Sequence, residues 1–371
     1  MAKPAETVFP SQDEVWPSVD LIEVIAPNFK KRLSGVTSTI VQLIPLQRAD
    51  GLRIATLGPG LPAGLPKLRF SSLFGLWKKP KGRPFRIWHA RRNTEMAAGV
   101  ILRDVLRMPL RLVFTSASQR DHKGFTRWLI RRMDAAIATS ARTASYLHVP
   151  HTVIMHGIDM ERFHPPRVAA DRYESTGLPG HYAIGCFGRI RHQKGTDLFV
   201  DAMIHLLPSY PEWTAVVAGR ATPEHATYEK DLREKVTEAG LADRIIFLGE
   251  LPLKAGHDDV CQWYRRLTAS VAPSRHEGFG LTPLEAMASR TAVIASDAGA
   301  YPELIEQGRT GFVVPRNNLD AMAEAIERYL DDPALALRHG ENGLAFVTEH
   351  FPLTGEAAGI RAVYEEVWAK G

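Results

Sequence analysis

The stretch ASVAPSRHEGFGLTPLEAMASRTAVIASDAGAYPELI, residues 269–305, reads as strand, glycine-containing loop, helix and second strand. ASVA (269–272) and AVIAS (292–296) are short apolar runs of the kind buried on both faces of a parallel sheet. At the helix start, Thr282 is placed to cap, Pro283 suits the first turn and Glu285 follows three residues after the cap, so the spacing predicts a capping box. Gly278 and Gly280 let the backbone approach a ligand closely, and the free N–H groups of a helix start suit a diphosphate.

Working outward, strands and helices alternate along the whole chain. LIEVIA (21–26), residues 52–57, 86–89, 112–115 and AAIAT (135–139) read as strands of a first run. Ser140 is a plausible helix cap after the last of them. YAIGCF (182–187), WTAVVA (213–218), residues 245–248, 269–272, 292–296 and GFVV (311–314) form a second run. Such alternation predicts α/β architecture with two parallel-sheet, Rossmann-like domains and a ligand cleft at the carboxyl ends of the strands. The expected divisions are a loose tail at 1–20, a first domain at 21–160, a linker at 161–180, a second domain at 181–345, and a last helix at 346–371 that packs back on the first domain.

The 371 residues are 45% hydrophobic and 23% charged, enough apolar material for two cores. No apolar run approaches the ~20 residues of a membrane-spanning helix, and the first 20 residues lack the apolar centre of a secretory signal. A cytoplasmic location is the expectation. Cys186 and Cys261 form no CxxC pair and read as buried hydrophobes, so neither zinc nor disulfides are expected. The net charge of +5 conceals an asymmetry. Residues 1–150 hold 24 Lys and Arg against 10 Asp and Glu, whereas the remainder holds 22 against 31. A basic half points to an anionic partner.

Two clusters carry chemistry. In GRIRHQKG (188–195), Arg189 and Lys194 follow a strand end, where cations can neutralise a departing diphosphate as a metal would otherwise do. Glu277 and Glu285 flank the glycine loop, and carboxylates there suit uncharged sugar hydroxyls better than phosphate. The plain alternatives are a basic surface loop, a solvated loop acid at Glu277 and a cap at Glu285.

Taken in order, Gly188-Arg189 with Lys194-Gly195, VVAGR (216–220), FLGELP (247–252) and the two acids of EGFGLTPLEAMA resemble retaining glycosyltransferases of family 4, of GT-B architecture. The resemblance implies that Arg189 and Lys194 bind the donor diphosphate, that Glu277 contacts the donor sugar and that Glu285 binds the ribose. It also implies that Arg220 and Leu251 lie near the base. Gly278, Phe279, Gly280, Leu281 and Thr282 complete the donor loop, with Gly35 of the first half near the phosphates. Where many members have a histidine facing the donor sugar, this chain has Thr115 and Ser116, with His89 and His122 nearby. APNFKKRLSGVTSTIVQLIP (26–45) and WHARRN (88–93) narrow the similarity to mannosyltransferases of the bacterial lipopolysaccharide inner core. That implies a GDP-mannose donor, no metal or other cofactor, and a Kdo sugar on a lipid A precursor as acceptor. Lys30, Lys31, Arg32, Trp77, Lys78, Lys79, His89, Arg91 and Arg92 are the expected acceptor or membrane side, at the inner face of the inner membrane. Two other classes compete: a nucleotide-sugar epimerase of related fold, and a nucleic-acid binder. The second leaves the donor motifs unexplained, and no nucleic-acid signature accompanies the charge.

Overall fold

The structure is a computed structural model that describes residues 17–30, 35–62, 64–251 and 259–371, without the side chains of 35–38. The chain divides into two compact units. One comprises residues 1–156 with 353–371, and the other comprises Gly157–Pro352.

The first unit holds a seven-stranded sheet: β1 Val24–Pro27, β2 Ile54–Leu57, β3 Lys67–Leu68, β4 Arg86–Ala90, β5 Leu110–Ser116, β6 Ala135–Ala138 and β7 Thr152–Val153. The spatial order is β3-β2-β1-β4-β5-β6-β7, and every pairing is parallel. β1, β2 and β4 are buried along their full length, as strands covered on both faces must be. The helix Gly35–Ala49 covers one face together with the C-terminal helix Leu353–Ala369, whose Ile360, Val363, Tyr364 and Val367 pack in one core with Val24, Ile40, Ile54 and Ile87. Polar bonds fix that helix too. Arg83 donates to both oxygens of Glu365 at 2.7 Å, and Trp368 Nε1 donates to Phe85 O at 3.1 Å.

The second unit holds six parallel strands: β8 Tyr182–Phe187, β9 Trp213–Ala218, β10 Ile245–Gly249, β11 Ala269–Ala272, β12 Ala292–Ser296 and β13 Gly311–Val314. Their order is β10-β9-β8-β11-β12-β13, so the direction of winding reverses between β8 and β11. The carboxyl ends of these two strands therefore flank the crevice in which doubly wound sheets bind ligands. The core beneath is closed by Phe199, Met203, Trp213 and Ile294.

Candidate active site in the second unit

The turn after β8 carries Gly188 and Arg189, then a 3₁₀ turn His192–Lys194, and then the helix Thr196–Leu206. Gly195 links the two at φ +71°, and a Cβ there would lie 2.0 Å from the carbonyl oxygen of Pro273. Only glycine allows that approach of one loop to the other. The contact is reinforced by the Arg275 and His276 amides, which donate to Gln193 O at 2.9 and 3.2 Å. Arg275 also makes a bidentate pair with Asp197, at 2.7 and 2.8 Å, and donates to His192 O at 2.9 Å. Tyr228 Oη donates to the same carboxylate at 2.8 Å. Burial opposes ionisation of Asp197, but Arg275 and Tyr228 outweigh it and hold its pKa below the ordinary carboxylate value.

This lacing brings the two chemical clusters together. Lys194 Nζ is ion-paired with Glu277 Oε2. Glu277 also accepts from the Gly278 amide at 3.1 Å and from Tyr301 Oη at 3.3 Å. Burial disfavours the charge on Glu277, yet Lys194, the amide and Tyr301 together keep its pKa below the usual range. Gly280, at φ +89°, fits because a Cβ would strike the Tyr301 ring at 2.3 Å. A recess at the switch point is lined by Gly188, Arg189, Lys194, Thr196, Thr282 and Tyr301. Two cations, a fixed carboxylate and hydroxyls meet there.

The second acid behaves differently from the expectation. The helix begins at Thr282 itself, behind Leu281, and no side chain caps it. The capping box therefore does not form. Leu281 stands in helical backbone geometry (φ −78°, ψ −19°), which moves Thr282 one place into the helix, and its Oγ1 lies 3.3 Å from Tyr301 Oη. Glu285 instead accepts from Tyr264 Oη at 3.1 Å, and burial raises its pKa above the ordinary value despite that bond. Phe279 is buried in the loop, and Leu281 is half-buried. The Gly278 amide is engaged by Glu277. Arg220, at the end of β9, is exposed and ion-paired with Glu250 at 3.4 Å. Leu251 lines a second recess with Leu248, Trp263 and Arg266, not the one at Arg189.

In the first unit, Gly35 opens its helix, and Lys31 and Arg32 lie outside the described residues. Lys30, Trp77, Lys78 and Lys79 are exposed. His89 is a correction to the acceptor-side reading. It is fully buried, with Nδ1 2.5 Å from Tyr364 Oη and Nε2 2.7 Å from Thr115 Oγ1, so it ties β4 to β5 and to the C-terminal helix. Burial holds its pKa well below the ordinary histidine value. Arg92 also turns inward, donating to Asn28 Oδ1 at 2.7 Å and to the buried Glu95 at 2.8 Å. One guanidinium nitrogen of Arg91 is buried as well. An unpaired Glu95 carboxylate in the interior would be costly, which explains why Arg92 points there. Cys186 and Cys261 are free and buried, and burial lifts their thiols to about 12 and about 11. No group of three or more potential metal ligands occurs among the described residues.

Tyr301, Asp197 and Arg275 were not singled out from the sequence. Arg275 and Tyr301 lie inside the decisive stretch, but arginine and tyrosine are common in loops. Only the meeting of segments 192–197 and 273–301 gives them partners.

Two doubly wound parallel sheets, with a pair of cations and a carboxylate at the switch point of the second, fit the GT-B class of glycosyltransferases. The glycosyl transferases group 1 family matches residues 174–346. Over 351 residues, the chain is 62% identical to the lipopolysaccharide core biosynthesis mannosyltransferase LpcC of Rhizobium leguminosarum bv. viciae, covering 95% of this chain and 98% of that one. It is 56% identical to LpsB of Rhizobium meliloti, a protein of the same description, over 93% and 98% of the two chains. The chain belongs to the group 1 glycosyl transferases and is an enzyme of that class. Among solved structures it is similar to a sucrose-phosphate synthase of Thermosynechococcus elongatus, with TM-score 0.78, 23% identity and coverage of 94% and 99%. It is likewise similar to HepE of Anabaena in complex with UDP, with TM-score 0.78, 19% identity and coverage of 93% and 100%. At such identities these two likenesses establish the fold alone.

Proposed function

We propose that this enzyme transfers mannose, with retention of configuration and without a metal, from GDP-mannose to a Kdo sugar of the lipopolysaccharide inner core on a lipid A precursor. The reading assigns the work to the inner face of the inner membrane. It is carried by the 62% identity to an enzyme described as a lipopolysaccharide core mannosyltransferase, which extends over nearly the whole of both chains.

The chemistry of the second unit supports the donor half of the reading. Arg189 and Lys194 supply two positive charges to a leaving diphosphate, the role otherwise given to a divalent ion. Glu277, held ionised beside Lys194, accepts hydrogen bonds from the hydroxyls of the transferred sugar. Glu285 serves the ribose. Transfer proceeds by front-side displacement: the departing phosphate oxygen takes the proton of the acceptor hydroxyl as the new glycosidic bond forms on the same face. Incubation of the enzyme with labelled GDP-mannose, in EDTA, with and without a Kdo-bearing lipid A precursor tests this. Acceptor-dependent transfer of label is expected. Preference for a UDP sugar, or activity lost in EDTA and restored by a divalent ion, would overturn it.

A further inference from the structure

The recess at the switch point offers two cations to a ligand, and Glu277 already shares one of them. Arg189 and Lys194 both line it, and the Lys194 ammonium is ion-paired with Glu277. The diphosphate of a sugar nucleotide carries two negative charges, so its arrival matches both cations in full. Glu277 then keeps its own charge with neither of them left to balance it. Its side chain is only 16% exposed, so water replaces little of that support. An unsupported carboxylate in such a place would take up a proton or turn away.

A neutral donor stands beside the same carboxylate. Tyr301 follows β12, and its hydroxyl oxygen lies 3.3 Å from Glu277 Oε2, 3.3 Å from Thr282 Oγ1 and 3.5 Å from Ser274 Oγ. Proton counting fixes the direction of these bonds. An ionised carboxylate only accepts, so the single phenol proton goes to Glu277, and the hydroxyls of Thr282 and Ser274 donate to the phenol oxygen. The phenol keeps its proton at neutral pH, because burial, and after it the Glu277 charge, push its pKa well above the ordinary tyrosine value. Backbone packing holds the pair together. At Gly299, with φ +62°, a Cβ would lie 2.7 Å from Glu277 Cβ, and Gly280 packs on the Tyr301 ring in the same manner. The Ala300 amide donates to Phe279 O at 3.3 Å, which pins the turn before Tyr301 to the glycine loop. A phenylalanine would fill the same space; only the hydroxyl meets the polar neighbours.

We infer that Tyr301 is a positioning residue, whose hydroxyl holds the Glu277 carboxylate in place for the donor sugar while Lys194 turns to the leaving diphosphate. The inference rests on the proposed function for the diphosphate and the sugar, but not on which base or sugar the donor carries. Lys194 has three N–H donors and can touch both anions, yet one positive charge shared between two anions attracts each of them less. Tyr301 is neutral, so an incoming anion does not draw it away. Glu285, the other acid of the site, acts on Glu277 in the opposite sense, since two like charges disfavour one another.

Tyr301→Phe in the full chain removes the hydroxyl and leaves the ring. A hydrogen bond to a charged group corresponds to about ten- to a hundredfold in an equilibrium or rate, so kcat for mannosyl transfer should fall by that order. The acid limb of the kcat/KM profile should move to higher pH, because Glu277 loses a bond that favours its charged form. In a Glu277→Gln background the same change should alter kcat by less than about twofold, since an amide has no charge to hold. Carbon-13 NMR titration of labelled glutamate carboxyls, with Glu277→Gln to assign the signal, reads the acid itself. Without ligand, Glu277 should titrate at higher pH in Tyr301→Phe than in the wild type, and added GDP should widen the gap. This readout needs neither mannose nor acceptor, so it can succeed where mannosyl transfer fails, and fail where transfer stands. Equal titration of Glu277 in the two proteins, or an equal loss of kcat with and without the Glu277 carboxylate, would overturn the assignment. So would a Tyr301→Phe protein whose urea midpoint falls while Glu277 titrates as in the wild type, because the hydroxyl would then serve the core alone.

Discussion

Replacing Lys194 with Ala tests the reasoning about the site most directly. Its ammonium pairs with Glu277, and the two side chains are 21% and 16% exposed, so the pair lies in neither bulk water nor a dry interior. At an effective dielectric near ~20 the gross attraction is a few kcal/mol, ~4 at 4 Å. Desolvation of both ions cancels much of this, which leaves a coupling of about 1–2 kcal/mol for a double-mutant cycle with Glu277→Gln. The catalytic loss is larger. If Lys194 stabilises charge on the leaving diphosphate, turnover should fall by roughly 10²–10³-fold, or about 3–4 kcal/mol of transition-state stabilisation. A third signature is pH dependence. Glu277 is held below its ordinary pKa even though burial pushes the other way, with Lys194 the largest opposing influence. Stability from this group is therefore present above its unfolded pKa of ~4.3 and lost as pH falls through the lower folded value. Without Lys194 burial dominates, so the acid limb of the kcat/KM profile should move to higher pH. Steady-state kinetics over pH 4–8 with GDP-mannose, alongside urea melts of the four proteins in the cycle, would read all three. Turnover within about threefold of the wild type, with an unmoved acid limb, would refute the clamp.

Arg275 acts through other residues, because its bidentate bond to Asp197 holds the Lys194 loop against the Glu277 loop. Arg275→Ala should lower kcat about tenfold or more while leaving KM for the acceptor unchanged, and Arg275→Lys should restore little of it; a purely structural role would lower only the melting temperature. Thr282→Ala should cost under ~0.5 kcal/mol in a urea melt, whereas loss of a true N-cap side chain costs ~1. Ser140→Ala should cost about that larger amount, since Ser140 Oγ accepts from the Thr143 amide at 3.0 Å. His89, with its pKa depressed by burial, should make the fold less stable as pH falls below ~6.5, because the unfolded chain then binds a proton that the folded one rejects. Thermal melts of the wild type against His89→Gln between pH 7.5 and 5.5 should show a steeper decline for the wild type, and parallel declines would exclude the effect.

The sequence by itself determined the two runs of alternating strand and helix and the residues from which the proposed donor site is assembled. Strands buried on both faces must be short and continuously apolar, as YAIGCF and AVIAS are, and glycines at strand ends must sit where backbones approach. Arg189, Lys194, Glu277 and Glu285 were legible for the same reason: they follow strand ends and flank a glycine loop. Capping was legible only in part. Ser140 stands in extended backbone and caps its helix, but Leu281 is already helical and leaves Thr282 no cap to make. That difference lies in backbone angles fixed by packing, not in residue type. Tertiary structure alone decided what each polar group meets. It turned His89 and Arg92 from expected acceptor contacts into interior bonds, because a sheet buried on both faces requires its polar groups to find partners inside. It also brought residues 70–77, 101–106 and 125–132 together, through bonds from Trp77 to Leu106 and from Arg103 to Arg132, since side chains distant in sequence become neighbours only when parallel crossovers set their helices side by side.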